Sequence, residues 1–510
     1  MNVQLTRQLR AAMREGRLAA GERLPSSRAL AGVLGVSRTV VTEAYEQLYA
    51  EGWIEGRHGS GTFVTDIAPA PPTSPDPAPT TDEAPPPARQ IAATKPGPSA
   101  RRPGVSATRP EALARRPGPP AAGAEAHVSG PEAGGADSRP RAHGTDPRPG
   151  AGEVGARQGS GGGDLRPGVA WVGGLDTPAW RRAWRLSATV APAARPDPRG
   201  LPGLRTLLAD NVRRSRGVVC SAERLLVTRG STNGLDLLAA TVLRPGDRVG
   251  VEDPGYQKAR SVLTARGAEL VPCPVDEHGL IVEGLPDDLR LVYTTPSHQY
   301  PLGGVLPVPR RQALLAWARR TGALVAEDDY DGEFRYDVAP LPALYGLDPD
   351  VVVYLGTTSK TLTSDMGVGW LVARPDLLEA IAARRAAFND RTAVVPQEAL
   401  RLLLERGDLE RHVRRMRAEY ARRRAVVAES LEGLTLRGDT AGLHLVVELP
   451  ATETERVVRE AAAEGVFLDT VGRHYMGTPE VSGLVIGYGS AAGLTELRTA
   501  CTLVRALASP

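Results

Sequence analysis

Lysine is scarce in this chain. Lys and Arg number 62 together, yet only Lys95, Lys258 and Lys360 are lysines. A side chain kept as Lys where Arg is the rule points to chemistry Arg cannot do, such as deprotonation and imine formation. Lys360 closes the run Gly356-Thr-Thr-Ser-Lys360, just after the apolar stretch Val351–Leu355. Lys258 competes on the same grounds, but it follows the turn Pro254-Gly-Tyr256 and reads as a helix-surface residue. Other polar groups follow other apolar runs: Asp328 or Asp329 after Ala323–Ala326, and Tyr256 after Arg248–Val251. Gly230-Ser231-Thr232 stands between an apolar run and a helix. An amine, an acid, an aromatic and a Gly-Ser-Thr helix start are the parts needed for pyridoxal phosphate (PLP). The amine condenses with its aldehyde, and the acid pairs with its ring nitrogen. The helix start offers donors to phosphate, and the aromatic stacks on the ring. Each part also has a plain reading: a solvated lysine, a turn-capping aspartate, a core tyrosine.

The elements that would position these groups alternate. Arg224–Val227, Arg248–Val251, Leu289–Tyr293, Ala323–Ala326 and Val351–Leu355 read as buried strands. Helical stretches such as Leu235–Leu243 and Arg311–Arg320 lie between them. That alternation predicts an α/β domain with a mostly parallel sheet, whose ligands bind at the carboxyl ends of the strands. No G-x-G-x-x-G, P-loop or His-rich metal spacing is present, so no nucleotide or metal site is expected.

The first 66 residues are patterned differently. Leu5, Leu9 and Met13 share a helix face. A second helix is expected over Ser27–Leu34, with Leu30, Ala31 and Leu34 inward and Ser26 or Ser27 as cap. A third, from Arg38 to about Glu51, follows the cap Ser37 and turns Val41, Ala44, Tyr45 and Leu48 inward. Two short strands around Arg57-His58-Gly59-Ser60 complete a winged helix-turn-helix. Ser37, Arg38 and Thr39 start the helix that enters the major groove in such motifs. Met1–Val64 carries eight Arg against six acids, so its field is only slightly positive.

Between the two regions, residues 67–163 read as a Pro/Ala/Gly-rich flexible linker, too poor in large apolar groups to offset its ordering entropy. Of the chain's 44 prolines, 20 fall between Ala68 and Gly150. At roughly 5–6 Å × √n such a linker reaches some 50–60 Å and transmits strain poorly, which predicts tolerance of varied half-site spacing. The net charge of +3 gives no global attraction to nucleic acid. Three scattered cysteines, Cys220, Cys273 and Cys501, argue against a disulfide framework. No signal or membrane-spanning stretch is visible, so a cytoplasmic setting is expected.

Residues 1–65 resemble the GntR-type winged helix through Gly21-Glu-Arg-Leu-Pro-Ser-Ser-Arg28, Leu34-Gly-Val-Ser-Arg-Thr39, Ala44-Tyr-Glu-Gln-Leu48 and Gly59-Ser-Gly-Thr-Phe-Val64. The resemblance places Arg28, Ser37, Arg38, Thr39, His58 and Gly59 at DNA-contact positions; a capping or pairing role for Arg28 stays open. Residues 164–510 resemble class I/II aminotransferases, and specifically the aminotransferase-like domain of MocR-type regulators. The motifs are Asp197-Pro-Arg-Gly-Leu-Pro-Gly-Leu-Arg205, Val251-Glu-Asp-Pro-Gly-Tyr256, Thr295-Pro-Ser-His-Gln-Tyr-Pro301, Glu327-Asp-Asp-Tyr-Asp-Gly-Glu-Phe-Arg-Tyr336, Tyr354-Leu-Gly-Thr-Thr-Ser-Lys360 and Ala441-Gly-Leu-His444.

That likeness implies a fold-type-I domain with a smaller α+β C-terminal subdomain, and PLP as cofactor. It makes Lys360 the Schiff-base lysine, with Asp328 on the pyridine nitrogen, Tyr330 on the ring 3-oxygen and Tyr256 stacked on the ring. Gly230, Ser231, Thr232 and Thr357 would hold the phosphate. It also implies a homodimer that binds double-stranded DNA and senses PLP or a small amine or amino acid. Two departures stand out. Gly367 occupies the place of a phosphate-binding Arg, beside an altered Thr363-Ser364-Asp365. No substrate-carboxylate Arg is evident near Gly483–Tyr488, where Arg473 is the nearest candidate. The expected protein is a regulator, with two alternatives: an aminotransferase carrying an accessory DNA head, or a regulator that has lost PLP.

Overall fold

The structure, a computed structural model, describes residues 1–57, 61–65, 163–438 and 440–509. In the head, α1 (Asn2–Arg14), α2 (Ser27–Leu34) and α3 (Arg38–Ala50) precede a hairpin of β1 (Ile54–Arg57) and β2 (Gly61–Val64). Helices this short hold only because each buries an apolar face. Leu5 and Met13 of α1 and Val41, Ala44 and Leu48 of α3 are buried, with Trp53, Ile54 and Val64 closing the core. Both caps form as the side chains require: the Ser26 hydroxyl accepts from Ala29 N–H and the Ser37 hydroxyl from Val40 N–H. Leu34 departs from its expected inward place and is 46 % exposed. Helix α2 stops there, at Gly35 with φ 66°, so its last residue overhangs the packed stripe. The expected linker lies outside the described residues except for Gly163.

The large domain follows a strand–helix alternation. After α4 (Pro178–Ser187) and α5 (Pro202–Arg216) come β3 (Leu225–Thr228), α6 (Ser231–Val242), β4 (Arg248–Asp253), α7 (Gln257–Ala265), β5 (Glu269–Asp276) and β6 (Gly279–Leu280). Then follow β7 (Leu291–Thr294), α8 (Val308–Thr321), β8 (Leu324–Asp329), β9 (Val352–Thr357) and β10 (Gly369–Val372). The sheet order is β3-β10-β9-β8-β7-β4-β5-β6. Strands β5, β4, β7, β8 and β9 run parallel, and β4, β7, β8 and β9 are buried along nearly all their length, as parallel strands covered on both faces are. Strand β10 enters antiparallel between β3 and β9. One apolar cluster covers each face, with Leu225, Val227, Val292 and Val325 on one side and Leu226, Val249, Leu291 and Val353 on the other.

The chain continues through α9 (Pro375–Ala387), α10 (Val394–Glu405) and the long α11 (Asp408–Ser430). The C-terminal subdomain adds β11 (Leu436–Arg437), β12 (His444–Glu448), α12 (Ala451–Ala463), β13 (Asp469–Thr470), β14 (Gly483–Gly487) and α13 (Leu494–Ala508). Its sheet, β11-β12-β14-β13, is antiparallel. No helix among the described residues is long and apolar enough to cross a membrane.

Leu48, fully buried in the cluster with Met13, Leu24 and Trp53, anchors the head. Leu48→Ala should cost the head about 2–5 kcal/mol. Faster hydrogen exchange across residues 2–50, with the large domain outside residues 306–311 unchanged, is the expected result; unchanged exchange would show that the head draws its stability elsewhere.

Candidate functional site

The site starts from the period of a strand. Successive side chains of β8 point to opposite faces, so Asp328 and Asp329 part company. Asp329 turns to Arg216, accepting from Nε at 2.5 Å and Nη2 at 2.8 Å, and from the Tyr354 hydroxyl at 2.6 Å. Its bonding capacity is taken up by that network. Asp328 faces the other way and accepts from the Tyr293 hydroxyl at 2.7 Å through Oδ2. Its Oδ1 is buried and makes no well-formed hydrogen bond among the described residues, although the Ser231 hydroxyl acts on the carboxylate. Burial pushes the Asp328 carboxyl up to about 6, against the opposing pull of Tyr293, Ser231 and Lys360.

Three other elements end around that oxygen. Lys360 follows β9, and its ammonium donates to Gly168 O at 2.6 Å. Burial lowers its pKa and the charge of Lys258 adds to that, while Asp331 and Asp328 act against it. Lys258 is exposed, as expected of a helix-surface residue, yet it stands close enough to influence Lys360. Gly230 (φ 121°) opens α6, whose first N–H groups receive no side-chain cap. A β-carbon at Gly230 would lie 3.7 Å from Thr357 Oγ1, so the glycine turn and the end of β9 form one concave edge. Ser231 and Thr232 begin the helix there. Tyr256 packs edge-on to Tyr300 with ring centroids 5.8 Å apart, and its hydroxyl is raised by burial and by Asp328 and lowered by Thr232.

Tyr330 brings in groups to which the sequence reading gave no role. Its hydroxyl lies 2.9 Å from His298 Nδ1 and 3.1 Å from His298 O. The same Nδ1 lies 2.9 Å from Asp331 Oδ2. His444 stacks obliquely on His298 at 5.0 Å, and burial holds it neutral, well below the usual histidine range. His298, Asp331 and His444 offer ligand atoms within 4.8 Å of one another, a donor set that no local spacing announces. The site also depends on Gly442, whose missing β-carbon would fall 2.0 Å from His298 Cε1. Both histidines sit in the quoted motifs Thr295–Pro301 and Ala441–His444, so the signal was present without a role attached.

The two sequence departures have physical settings. Gly367 adopts φ 56°, and a β-carbon there would meet nothing within 4 Å. The position has room for a side chain that this chain does not supply. Asp365 is exposed, its N–H bonded to Thr363 Oγ1. Arg473 is 61 % exposed and bonded to Asp469 at 2.9 Å. On the head, Arg28, Ser37, Arg38 and Thr39 are all exposed at the N-terminal end of α3 and the start of α2. His58 and Gly59 lie outside the described residues.

Residues 173–480 match the family described as aminotransferase class I and II, and residues 2–64 match bacterial regulatory proteins of the gntR family. The chain is 33 % identical to the HTH-type pyridoxine biosynthesis transcriptional regulator PdxR of Corynebacterium glutamicum, covering 96 % of this chain and 91 % of that protein. It is 30 % identical to the probable rhizopine catabolism regulatory protein MocR of Rhizobium meliloti, covering 98 % and 93 %. Among solved structures, an archaeal alanine:glyoxylate aminotransferase matches with a TM-score of 0.63 at 22 % identity, covering 68 % of this chain and 90 % of that one. LysN, an α-aminoadipate aminotransferase of Thermus thermophilus complexed with N-(5'-phosphopyridoxyl)-L-leucine, matches at 0.62 and 24 %, covering 68 % and 92 %.

The raised Asp328 carboxyl has a stability consequence in the ligand-free chain. Its folded pKa of about 6 lies above the unfolded value of 3.8. The folded state therefore binds the extra proton between those values, and stability falls as pH rises from about 4 to 6. Asp328→Asn removes that loss and should stabilise the ligand-free protein at pH 7.5 by on the order of 1–3 kcal/mol, with little change at pH 4. Melting curves at the two pH values test it, and an equal effect at both would refute the buried-charge account.

Proposed function

The chain belongs to the MocR-type transcriptional regulators, in which a gntR-family head is joined to a class I and II aminotransferase domain, and from that premise we propose that its large domain senses PLP, or PLP together with a small amine or amino acid. In this reading the winged helix binds a specific double-stranded DNA site, and the chain works as a homodimer. The observation that carries the cofactor reading is the buried Oδ1 of Asp328, without a well-formed hydrogen bond, beside Lys360 and the uncapped start of α6. An acceptor left without a partner in the interior costs about 1–3 kcal/mol, and a ring N–H would satisfy it.

The residues fit the group. Lys360, its proton loosened by burial, would be the amine that meets the cofactor's aldehyde. Asp328 Oδ1 would accept from the ring N–H, and Tyr330, its hydroxyl held by His298, would hold a proton toward the ring 3-oxygen. Tyr256 would cover the ring face. The N–H groups opening α6, with Gly230, Ser231, Thr232 and Thr357, would hold the phosphate. PLP, when bound, supplies an electron-poor ring that stabilises negative charge next to an amine nitrogen. The relative named for pyridoxine biosynthesis supports the same ligand class, since pyridoxine carries the same ring. Sensing is favoured over turnover because Arg473, the nearest cation for a substrate carboxylate, is bonded to Asp469.

Purified protein with PLP should show an absorption band of bound cofactor that Lys360→Ala abolishes. If the band is absent or survives the substitution, the cofactor reading fails. Sustained 2-oxo acid formation from added amino acids would overturn the regulator in favour of an enzyme. Gly367→Arg places a charge-assisted donor, worth roughly 1.5–3 kcal/mol, at the open position. Even after strain at positive φ it should tighten PLP by about tenfold in a spectral titration. On the head, Arg38→Ala should weaken binding to a duplex selected by the wild-type chain by about 1–3 kcal/mol if Arg38 reads a base. Fluorescence anisotropy measures this, and unchanged affinity would remove Arg38 from the contact surface.

A further inference from the structure

The recognition helix has two ends with different surroundings. Its N-terminal end, Ser37–Thr39, is exposed. Its C-terminal end is planted on the large domain. Glu51 O accepts from Val308 N–H at 3.3 Å. A β-carbon at Gly52, where φ is 79°, would lie 2.9 Å from Pro307 Cβ. Val308, 3 % exposed, belongs to the apolar cluster of the head, with Met13, Leu48 and Trp53, and to none of the clusters of the large domain. Head and large domain accordingly fall into one compact unit. The Glu51 carboxylate is itself immobilised, by Arg10 at 2.6 and 2.9 Å and by Gln47 at 2.7 Å.

Beneath this seat lies Arg311, 4 % exposed. It donates to Leu306 O at 2.7 Å, Pro342 O at 2.7 Å and Pro296 O at 3.2 Å. Three carbonyls from three segments are tied by one guanidinium, and the negative charges of Glu327 and Glu51 both act on it. Pro296 is two residues from His298, which touches Tyr330 in the candidate site. Packed protein thus runs without a break from Tyr330 through His298, Pro296 and Arg311 to Val308 and the end of the recognition helix.

We infer that the winged helix is carried docked, with α3 acting as a rigid strut seated on Pro307 and Val308, so that the state of the large-domain site reaches the DNA-reading end through Arg311 and the seat rather than through the segment between head and domain. The occupant of the seat is this chain's own head. The strut spans about 20 Å, so a tilt of about 10° at the seat moves Arg38 by about 3 Å, enough to take a side chain out of hydrogen-bond range of a base edge. On this inference the head is coupled through its seat, whereas a long linker alone would leave it loosely coupled. The inference takes its ligand from the function proposed above, but the docking itself needs no ligand.

The test uses the full chain. Val308→Asp puts a charge into the apolar seat, while an acid in the first turn suits the start of α8, so the large domain should keep its fold. Hydrogen exchange over residues 49–53 and 306–311 should be slow in the wild type and fast in Val308→Asp. Equal exchange in the two proteins overturns docking, whether or not PLP binds. On a duplex selected by the wild-type chain from a random pool, PLP should shift wild-type affinity by about 5–150-fold, the usual range of coupling. In Val308→Asp the shift should fall to about onefold while the absorption band with PLP persists. Twenty Gly/Ser residues inserted within 73–158 should leave the wild-type shift unchanged. A shift that survives Val308→Asp, or is lost on the insertion, overturns the route through the seat. A wild type that lacks the absorption band defeats the cofactor reading instead, and the exchange comparison then decides docking alone.

Discussion

Three acids in succession, Glu327, Asp328 and Asp329, leave water together at the end of β8, and the rest of the molecule is arranged around keeping them there. A buried carboxylate is tolerated only when it is paired, well hydrogen-bonded or neutral. Each of the three has a different solution. Glu327 accepts from the N–H groups of Leu344 and Tyr345 at 2.7 and 2.9 Å, and burial still pushes it up to about 7. Asp329 is matched by Arg216 and Tyr354. Asp328 is only half satisfied. That arrangement locks β8 against α5, β9 and the 344–346 turn, and leaves Asp328 Oδ1 without a well-formed hydrogen bond among the described residues.

Around this strand the site trades charge for shape. Lys360 has its amine held by a backbone carbonyl and Asp328 in electrostatic reach. Tyr330, His298 and Asp331 share a proton-holding arrangement around one ring nitrogen. Gly442 is the condition for it, because any side chain there would occupy the His298 ring. In the proposed cofactor reading the phosphate would rest on helix N–H groups and hydroxyls, with Gly367 open beside them.

The same economy links the two functions. The head has a core of its own, and Val308 of the large domain joins the cluster that holds Met13, Leu48 and Trp53. Arg311, spending its donors on carbonyls of the loops that line both the seat and the site, makes those loops move as one piece if they move at all.

The sequence by itself determined the elements and the identity of the chemical groups. The head helices, their serine caps and the alternating strands follow from local periodicity and capping chemistry, which act over a few residues. Lys360 stood out because the chain uses Arg almost everywhere else. What only the tertiary structure decided were relations between distant residues. Asp328 and Asp329 are equivalent in the sequence and are separated by strand alternation and by an Arg 113 positions away from Asp329. His298 and His444 meet across 146 residues (444 − 298) through the approach of two sheets. Leu34 looked inward, but as the last residue of its helix it overhangs the packed stripe, and the docking of Gly52 on Pro307 left no local trace. Burial and charge pairing are properties of the assembled interior, so no spacing along the chain could have announced them.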